Sequence, residues 1–483
     1  MKQFKLERTG NGVEKIEFQV NSNENKNLSL HFNSVEKVWL NGFLYDSLGR
    51  LRGQIVTPET NQTYILTNDD ESTSVSFIAG PLNQGIWCFE YSLASKEEAE
   101  VCLTIEMNTD KFDIDLIYPK RKLVDLGSSN SSYQSYLDSL DQENSVSPKW
   151  YKGDFHTHTI ESDGSMTIND NQKQAQKMGL DFYVPTDHNV IPTRWHSGDP
   201  VVYPGVELTS QLGHCNLLFI NHMLFDRNSL ADIYQESSLL DILTNRKSED
   251  YLLSINHPFL TVWKWLLKDL PLDVIDAIEI INDPTYLDNI SANLATLAFW
   301  DLLLEDGYDI TVIGGSDSHL RPDDRYPDSK LPSLLGDPGT FVFSKSLGSK
   351  DMILAIREGH VTVGRLGKLD FDMNGQIAGS QMAWQAGVHN VTYNYQSEGI
   401  FDENKLRVEI VQDSKVIYTS RDFAGSIEIS VMEGHRRYSW VRVQVIHEDL
   451  GLVAVANPVY LGSKTTTYKT WGDVLEDFDM ELK

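Results

Sequence analysis

Gly153 to Asn189 reads GDFHTHTIESDGSMTINDNQKQAQKMGLDFYVPTDHN, and the organisation of the central segment follows from it. The run through His156 and His158 has strand character, and side chains on a strand repeat every second residue, so the two imidazoles share a face. Thr167 is placed as an N-cap with Asp170 three residues on, and Gly179 stops the helix expected over Ile168–Met178. The next apolar run, Leu180–Thr186, ends at Asp187 and His188. Two neutral imidazoles converging with carboxylates such as Asp163 suit a borderline or hard divalent ion. Metal-dependent hydrolysis is the chemistry this points to.

The same alternation continues outward. Strands are expected at Tyr151–Thr159, Val201–Leu208, Cys215–Ile220, Tyr251–Asn256, Ala277–Asn282 and Ile310–Gly314, with helices at Leu230–Asn245, Ile290–Glu305 and Lys350–Glu358. Such alternation argues for a parallel α/β layout, barrel or doubly wound. Ligand-type residues recur near the strand ends: Glu207 in PGVELTS, His257 in SINHPF, and Asp317 and His319 in VIGGSDSH. His214 opens GHCNLLF instead. In a parallel barrel the C-terminal strand ends share one face, so residues distant in sequence meet in one pocket. Gly314 and Gly315 allow close backbone packing at its mouth. His31, His389, His435 and His447 read as ordinary hydrogen-bonded residues, while His196, His222 and His360 stay open between that and the site. Trp263 and Trp265 read as core residues, with a lid as the alternative.

Residues 1–126 alternate short apolar runs with turn signals, as an antiparallel all-β domain does. Residues 127–149 are Ser-, Asn- and Asp-rich and read as a linker with one helical turn. The α/β segment spans 150–365, and 366–483 reads as a second all-β, sandwich-like domain. The 483 residues exceed one hydrophobic core. Lysine and arginine number 41 against 70 aspartate and glutamate, a formal charge of −29. That field disfavours a polymeric nucleic acid as partner. No apolar run is long enough for a membrane span, the first twenty residues lack a secretory h-region, and three cysteines cannot all pair. A cytoplasmic protein is expected, with a small, anionic substrate as partner and homo-oligomerisation open.

Taken together, DFHTHTIESDGS, AQKMGLD, PTDHN, PGVE, NHP and GGSDSH resemble the polymerase and histidinol phosphatase (PHP) metal-dependent hydrolases, over about 150–365. AGPLNQGIW and VANPVYL in the flanks look more like the carbaryl-hydrolase-like subgroup than a polymerase. The resemblance implies a distorted (β/α)7 PHP barrel flanked by all-β domains, with two or three divalent ions (Mn, Zn or Fe). Carried over by position, it implies that His156, His158, Glu207 and Asp317 hold one ion. Glu207 bridges to a second with His214 and His257, and Asp163, His188 and His319 hold a third. Some relatives have histidine where this chain has Asp163, a harder and more anionic ligand.

Paired cations can activate a shared water and polarise a phosphoryl or acyl oxygen. Asp187 is placed as partner or proton acceptor beside His188, or as a cap of its loop. Arg194 and Arg321, with Arg325 and Arg365 behind them, are candidates for gripping a substrate anion. The leading expectation is a phosphoesterase acting on a small phosphorylated substrate. A carboxylic ester, carbamate or amide hydrolase using the same metals is the alternative, and a binding protein with a vestigial barrel is an alternative of another class.

Overall fold

The computed structural model describes residues 1–21, 27–57, 59–94, 100–108, 121–122, 131–141, 147–195, 198–226, 228–246, 251–398, 401–433 and 437–481. His196 and His435 lie outside the described residues, as do 127–130 and 142–146 of the expected linker, while Ser131–Asp141 forms a helix where one turn was expected and buries Tyr133, Tyr136 and Leu137.

The N-terminal runs form two antiparallel four-stranded sheets. One orders Lys2–Leu6, Val101–Asn108, Asn27–Ser34 and Asn61–Leu66, and the other Glu14–Val20, Gly85–Ala94, Trp39–Tyr45 and Leu51–Thr57. Alternation supplies one apolar face per sheet, and Phe18, Leu30, Phe32, Trp87 and Phe89 from both sheets share a core. Leu51–Thr57 is buried along its whole length, because it also packs against the central segment. There the Gln54 side chain donates to the Ile191 carbonyl at 3.1 Å and accepts from the Ile191 N–H at 2.7 Å.

The central segment contributes to two sheets. The longer one runs Val201–Val202, Phe182–Pro185, Lys149–Thr157, Gly339–Ser344 and Val361–Gly364, and continues through Gly451–Ala456, Tyr438–His447, Leu406–Gln412 and Lys415–Ser420. The other orders Gly205–Ser210, Gly213–Leu218, Leu252–Ile255, Ala277–Asn282 and Thr311–Gly315. Single bridges, His188 to Glu207 and Thr157 to Ser318, join the two at one end. The architecture is mixed α/β, and the expected distorted (β/α)7 barrel is not shown. Among the described residues no continuous ladder closes the two sheets into a barrel, and only some pairs are parallel. The physical reason is connection length. Gly205–Ser210 and Gly213–Leu218 pair as a hairpin in which Ser210 faces Gly213, and a two-residue turn cannot carry a crossover helix. Gly213, at φ +103° with the backbone of Lys264 and Trp265 against it, supplies that turn.

Helices sit close to their expected places. Ile168–Lys177 starts with the Thr167–Asp170 capping box, a motif of about 1 kcal/mol, and Gly179 follows its end at φ +64°. Leu287–Asp306 starts three residues earlier than expected, and the expected helix at 230–245 breaks at Gln235 into Leu230–Tyr234 and Glu236–Thr244. Trp471–Glu481, which the sequence reading missed, packs Trp471 and Phe478 against Phe299 of the long helix. Beyond residue 366, Gly367–Met373, Gln376–Ile377, Gly387–Ser397 and Ala424–Val431 form a further antiparallel sheet. Its inner face shares a core with the far strands of the long sheet, Leu369 and Tyr393 with Val408 and Val443. No described helix is long and apolar enough to cross a membrane.

Candidate metal centre

The bridged ends of the two sheets carry the histidines. His156 and His158 lie at the end of Lys149–Thr157, Glu207 lies within Gly205–Ser210, and His214 stands beside Glu207 on the hairpin partner strand. His257, Asp317 and His319 follow the ends of Leu252–Ile255 and Thr311–Gly315. His257 and Asp317 have left-handed backbones, at φ +28° and +48°. Non-glycine residues hold such angles only where their surroundings impose them, and here they turn both side chains toward the centre.

The side chains expected as ligands meet in one place. His156 Nε2 lies 3.3 Å from both Glu207 Oε1 and Asp317 Oδ1, and His158 Nε2 lies 2.9 Å from Asp317 Oδ1. Glu207 Oε1 also faces His214 Nδ1 at 3.0 Å and His257 Nε2 at 3.5 Å. Asp163 Oδ1 faces His319 Nε2 at 3.2 Å and His188 Nε2 at 3.6 Å. Three sets bring their ligand atoms within 4.8 Å of one another: His158, Asp163, His188 and His319; His156, His158 and Asp317; and His188, Glu207 and His214.

These residues fit divalent ions. Asp163 Oδ1, Glu207 Oε2, Asp317 Oδ1 and His214 Nδ1 are buried without a hydrogen-bond partner, although imidazole nitrogens or carboxylate oxygens stand close by. Lone pairs here converge on common points instead of meeting donors. A buried polar atom left so costs about 1–3 kcal/mol, which a cation at the convergence point removes.

Charge follows the same geometry. Burial opposes the protonated form of His156, but Asp317, Glu207 and Glu279 outweigh it and hold its pKa well above the usual value. His319 is likewise raised, to about 10, against burial and by Asp163 and Asp317. His158, buried between charged neighbours His319 and His188, is lowered to about 3. Protons thus occupy part of the place that ions would take.

A ring of residues that the sequence reading missed orients the cluster. Glu279 Oε1 faces His156 Nδ1 at 3.0 Å, and its Oε2 accepts from the His257 N–H and Asn282 Nδ2, both at 3.0 Å. Asn256 Nδ2 donates to Glu207 Oε1 at 2.9 Å, and Thr209 Oγ1 lies 2.5 Å from His188 Nδ1. The signal for Glu279 was present: a lone carboxylate inside the apolar run AIEIIN is a buried charge that needs partners. Gly315 must be glycine, since a Cβ there would strike Glu279 and His156.

The non-ligand candidates fall elsewhere. Asp187 accepts from the Thr159 N–H at 2.7 Å, Thr159 Oγ1 at 2.7 Å and Ser162 Oγ at 2.6 Å, so it clamps the loop that carries Asp163. Of its expected roles, the loop cap is the one with a geometry. Arg194 donates to the Asp70 and Thr73 carbonyls in a turn between two N-terminal strands. Arg321 is exposed and donates to the Ser165 carbonyl at 3.4 Å. Arg325 donates to the Lys330 carbonyl, and buried Arg365 pairs with Asp337 at 3.0 Å. Neither Asp187 nor any of these arginines lines the cavity that opens on the cluster, because each is held by a carbonyl, a carboxylate or the loop it clamps. His222 and His360 also stand outside it, on Asn221 and the Ala378 carbonyl. Trp265 is core, whereas Trp263 is 43% exposed and lines the cavity.

No protein-family model matches the chain, and no curated protein matches it. Among solved structures, it is similar to a two-domain protein of Bacteroides vulgatus ATCC 8482 described as containing a predicted PHP-like metal-dependent phosphoesterase. Identity there is 16% and the TM-score 0.35, over 65% of this chain and 96% of that one. It is also similar to fibronectin(III)-like modules of Clostridium thermocellum CbhA, at 15% identity and a TM-score of 0.16, over 26% of this chain and 61% of that one. Likenesses this loose settle neither fold nor function.

Proposed function

We propose that this chain is a metal-dependent hydrolase of PHP type, acting as a phosphoesterase on a small substrate. One observation carries the reading: buried imidazoles and carboxylates from both sheets converge, through a shared Glu207, beside a cavity of about 570 Å³. The sets fit two or three divalent ions, with manganese, zinc or iron as candidates.

Bound ions would supply Lewis acidity toward a phosphoryl or acyl oxygen and toward the attacking water. With three such ions, Asp163, Glu207, Asp317 and the adjoining Glu279 would offset four of six positive charges, so a centre loaded with three ions would attract an anion without help from an arginine. Glu279 fixes His156 through Nδ1 and leaves Nε2 facing the centre, while Thr209 does the same for His188 through its Nδ1. Asn256 and Asn282 orient Glu207 and Asp317 as donors. Asp187 holds the loop of Asp163 in place.

A second reading, hydrolysis of a carboxylic ester, carbamate or amide, is favoured by one feature. The described residues lining the cavity include no lysine or arginine, and an uncharged scissile group needs none. The two readings separate on p-nitrophenyl phosphate, bis(p-nitrophenyl) phosphate and p-nitrophenyl acetate, assayed with manganese or zinc. Turnover of the phosphates that vanishes in His158→Ala supports the first reading. Turnover of the acetate alone supports the second, and no turnover by a metal-loaded protein sinks both. The resemblance to the carbaryl-hydrolase-like subgroup, a cytoplasmic location and self-association remain parts of this proposal that such assays leave to fractionation and sizing.

A further inference from the structure

One carboxyl of the cavity has no place in the metal centre. Of the acidic residues in the described lining, Asp163 and Asp317 belong to the metal sets and Asp283 to none. Asp283 follows the strand Ala277–Asn282, and its N–H donates to the Gly315 carbonyl at 3.3 Å, beside the strand end that leads to Asp317. The preceding Asn282 donates to Asp317 Oδ2 at 3.2 Å. The Asp283 backbone is held at φ +20°, a value that a non-glycine residue keeps only where its surroundings impose it.

The partners of Asp283 decide where a proton on it goes. Oδ1 accepts from the Thr285 hydroxyl at 2.8 Å, and Oδ2 meets the Tyr326 hydroxyl at 2.6 Å. Tyr326 also lines the cavity, on the loop that follows His319, and stands edge-on to Tyr286 with ring centroids 5.4 Å apart. In its ionised form Asp283 only accepts, so Tyr326 commits its one O–H to it. In the neutral form the proton sits on Oδ2, Tyr326 becomes the acceptor, and its own O–H is freed. Burial favours that form. With the charge of Asp317 it pushes the Asp283 carboxyl up to about 6, against the hydrogen bonds from Tyr326 and Thr285. Near neutral pH the pair can hold and pass one proton.

The described lining includes no lysine, arginine or cysteine, and its histidines stand in the metal centre. We propose that Tyr326 is the proton donor to the leaving group, with Asp283 behind it as the source of the proton. The proposal rests on the hydrolase reading and adds a catalytic residue and its partner to it. Water adds its oxygen to the phosphorus or acyl carbon, and the bond to the leaving oxygen breaks. That oxygen takes the Tyr326 proton while the Asp283 proton passes to Tyr326. The attacking water keeps one proton on the product, and its other proton restores that of Asp283 through solvent.

An alkoxide leaves poorly without a proton, whereas p-nitrophenolate leaves well without one, so the leaving group reports the step. Tyr326→Phe keeps the ring on Tyr286 and removes the hydroxyl. Asp283→Asn keeps an acceptor for Tyr326 and removes the proton. With the full metal-loaded chain, kcat is compared on p-nitrophenyl and ethyl phosphate, and on p-nitrophenyl and ethyl acetate. Each variant should lose about tenfold or more on the ethyl member relative to its p-nitrophenyl counterpart. Infrared difference spectra of the parent against Asp283→Asn at about pH 6 need no turnover and should contain a protonated-carboxyl band. Absence of that band overturns the relay whatever the rates. Equal losses on both members, or turnover of the p-nitrophenyl members alone, overturn the relay and keep the hydrolase, leaving the pair as an anchor of its loop. No turnover of any ester by the metal-loaded parent overturns the hydrolase reading and the relay with it.

Discussion

Glu279→Gln removes a charge and an acceptor from a buried carboxylate that three groups depend on. The amide has nearly the same volume, so packing is unchanged and the effect is electrostatic. Its single oxygen cannot serve both sides. Facing the His257 N–H and Asn282, it turns its NH2 toward His156 Nδ1, 3.0 Å away in the native protein. His156 must then accept at Nδ1 and carry its proton on Nε2, the atom that lies 3.3 Å from Glu207 and Asp317. In the reversed orientation the NH2 meets two donors. Either arrangement takes His156 out of the ligand set or strains it. Losses of about 10–100-fold in metal affinity are typical for such partners, equivalent to about 1.4–2.7 kcal/mol. The assay is competition for zinc or manganese against a chromophoric chelator, with circular dichroism to confirm folding. A folded Glu279→Gln protein that binds metal within about twofold of the parent would show that Glu279 does not govern His156.

Gly315→Ala drives a methyl group into Glu279 and His156, so it should lower metal content as measured by elemental analysis, and retained stoichiometry would contradict the packing argument. Asp187→Asn weakens the clamp on Thr159 and Ser162, and the ion held through Asp163 should be lost first, seen as a drop in bound metal to the remaining sets. Arg194→Met removes the guanidinium that donates to the Asp70 and Thr73 carbonyls. Denaturant titration should show a loss of about 1–3 kcal/mol with metal content unchanged, whereas lost catalysis at full stability would return Arg194 to the site. For the metal-free protein, the His319 pKa is raised from 6.5 to about 10. The stabilisation from that pairing is complete below about 6.5 and fades as pH rises toward 10, which thermal melts across that window detect. Metal loading near neutral pH must displace the protons on His156 and His319, so calorimetry in buffers of different ionisation enthalpy should report net proton release.

The pattern of ligand types was plain in the chain because each is an exception to its surroundings. A histidine or carboxylate at the end of an apolar run stands out, and His156, His158, Glu207, His257 and Asp317 all stand so. The capping box at Thr167 and Asp170 was legible for the same local reason. For Asp187 the sequence left a role beside His188 and a loop cap open, and for Arg194 it gave no direction, since nearness to a ligand in sequence says nothing about where a charge points. The first turns into the loop at Thr159, and the second reaches a turn between two N-terminal strands. Strand direction was misjudged where the run through Glu207 returned at once through His214, an antiparallel hairpin within a segment expected to be parallel.

Local chemistry, then, was encoded in short stretches: which residues are able to bind metal, and where helices start and stop, depend on neighbours a few positions apart. Partnerships between remote segments were not, since sheet order, the Glu279 contact with His156, and Trp39 beside His188 arise only when separate hydrophobic faces pack. Nothing along the chain marks Trp39 as part of a cavity 149 positions downstream, because burial is a property of the packed whole.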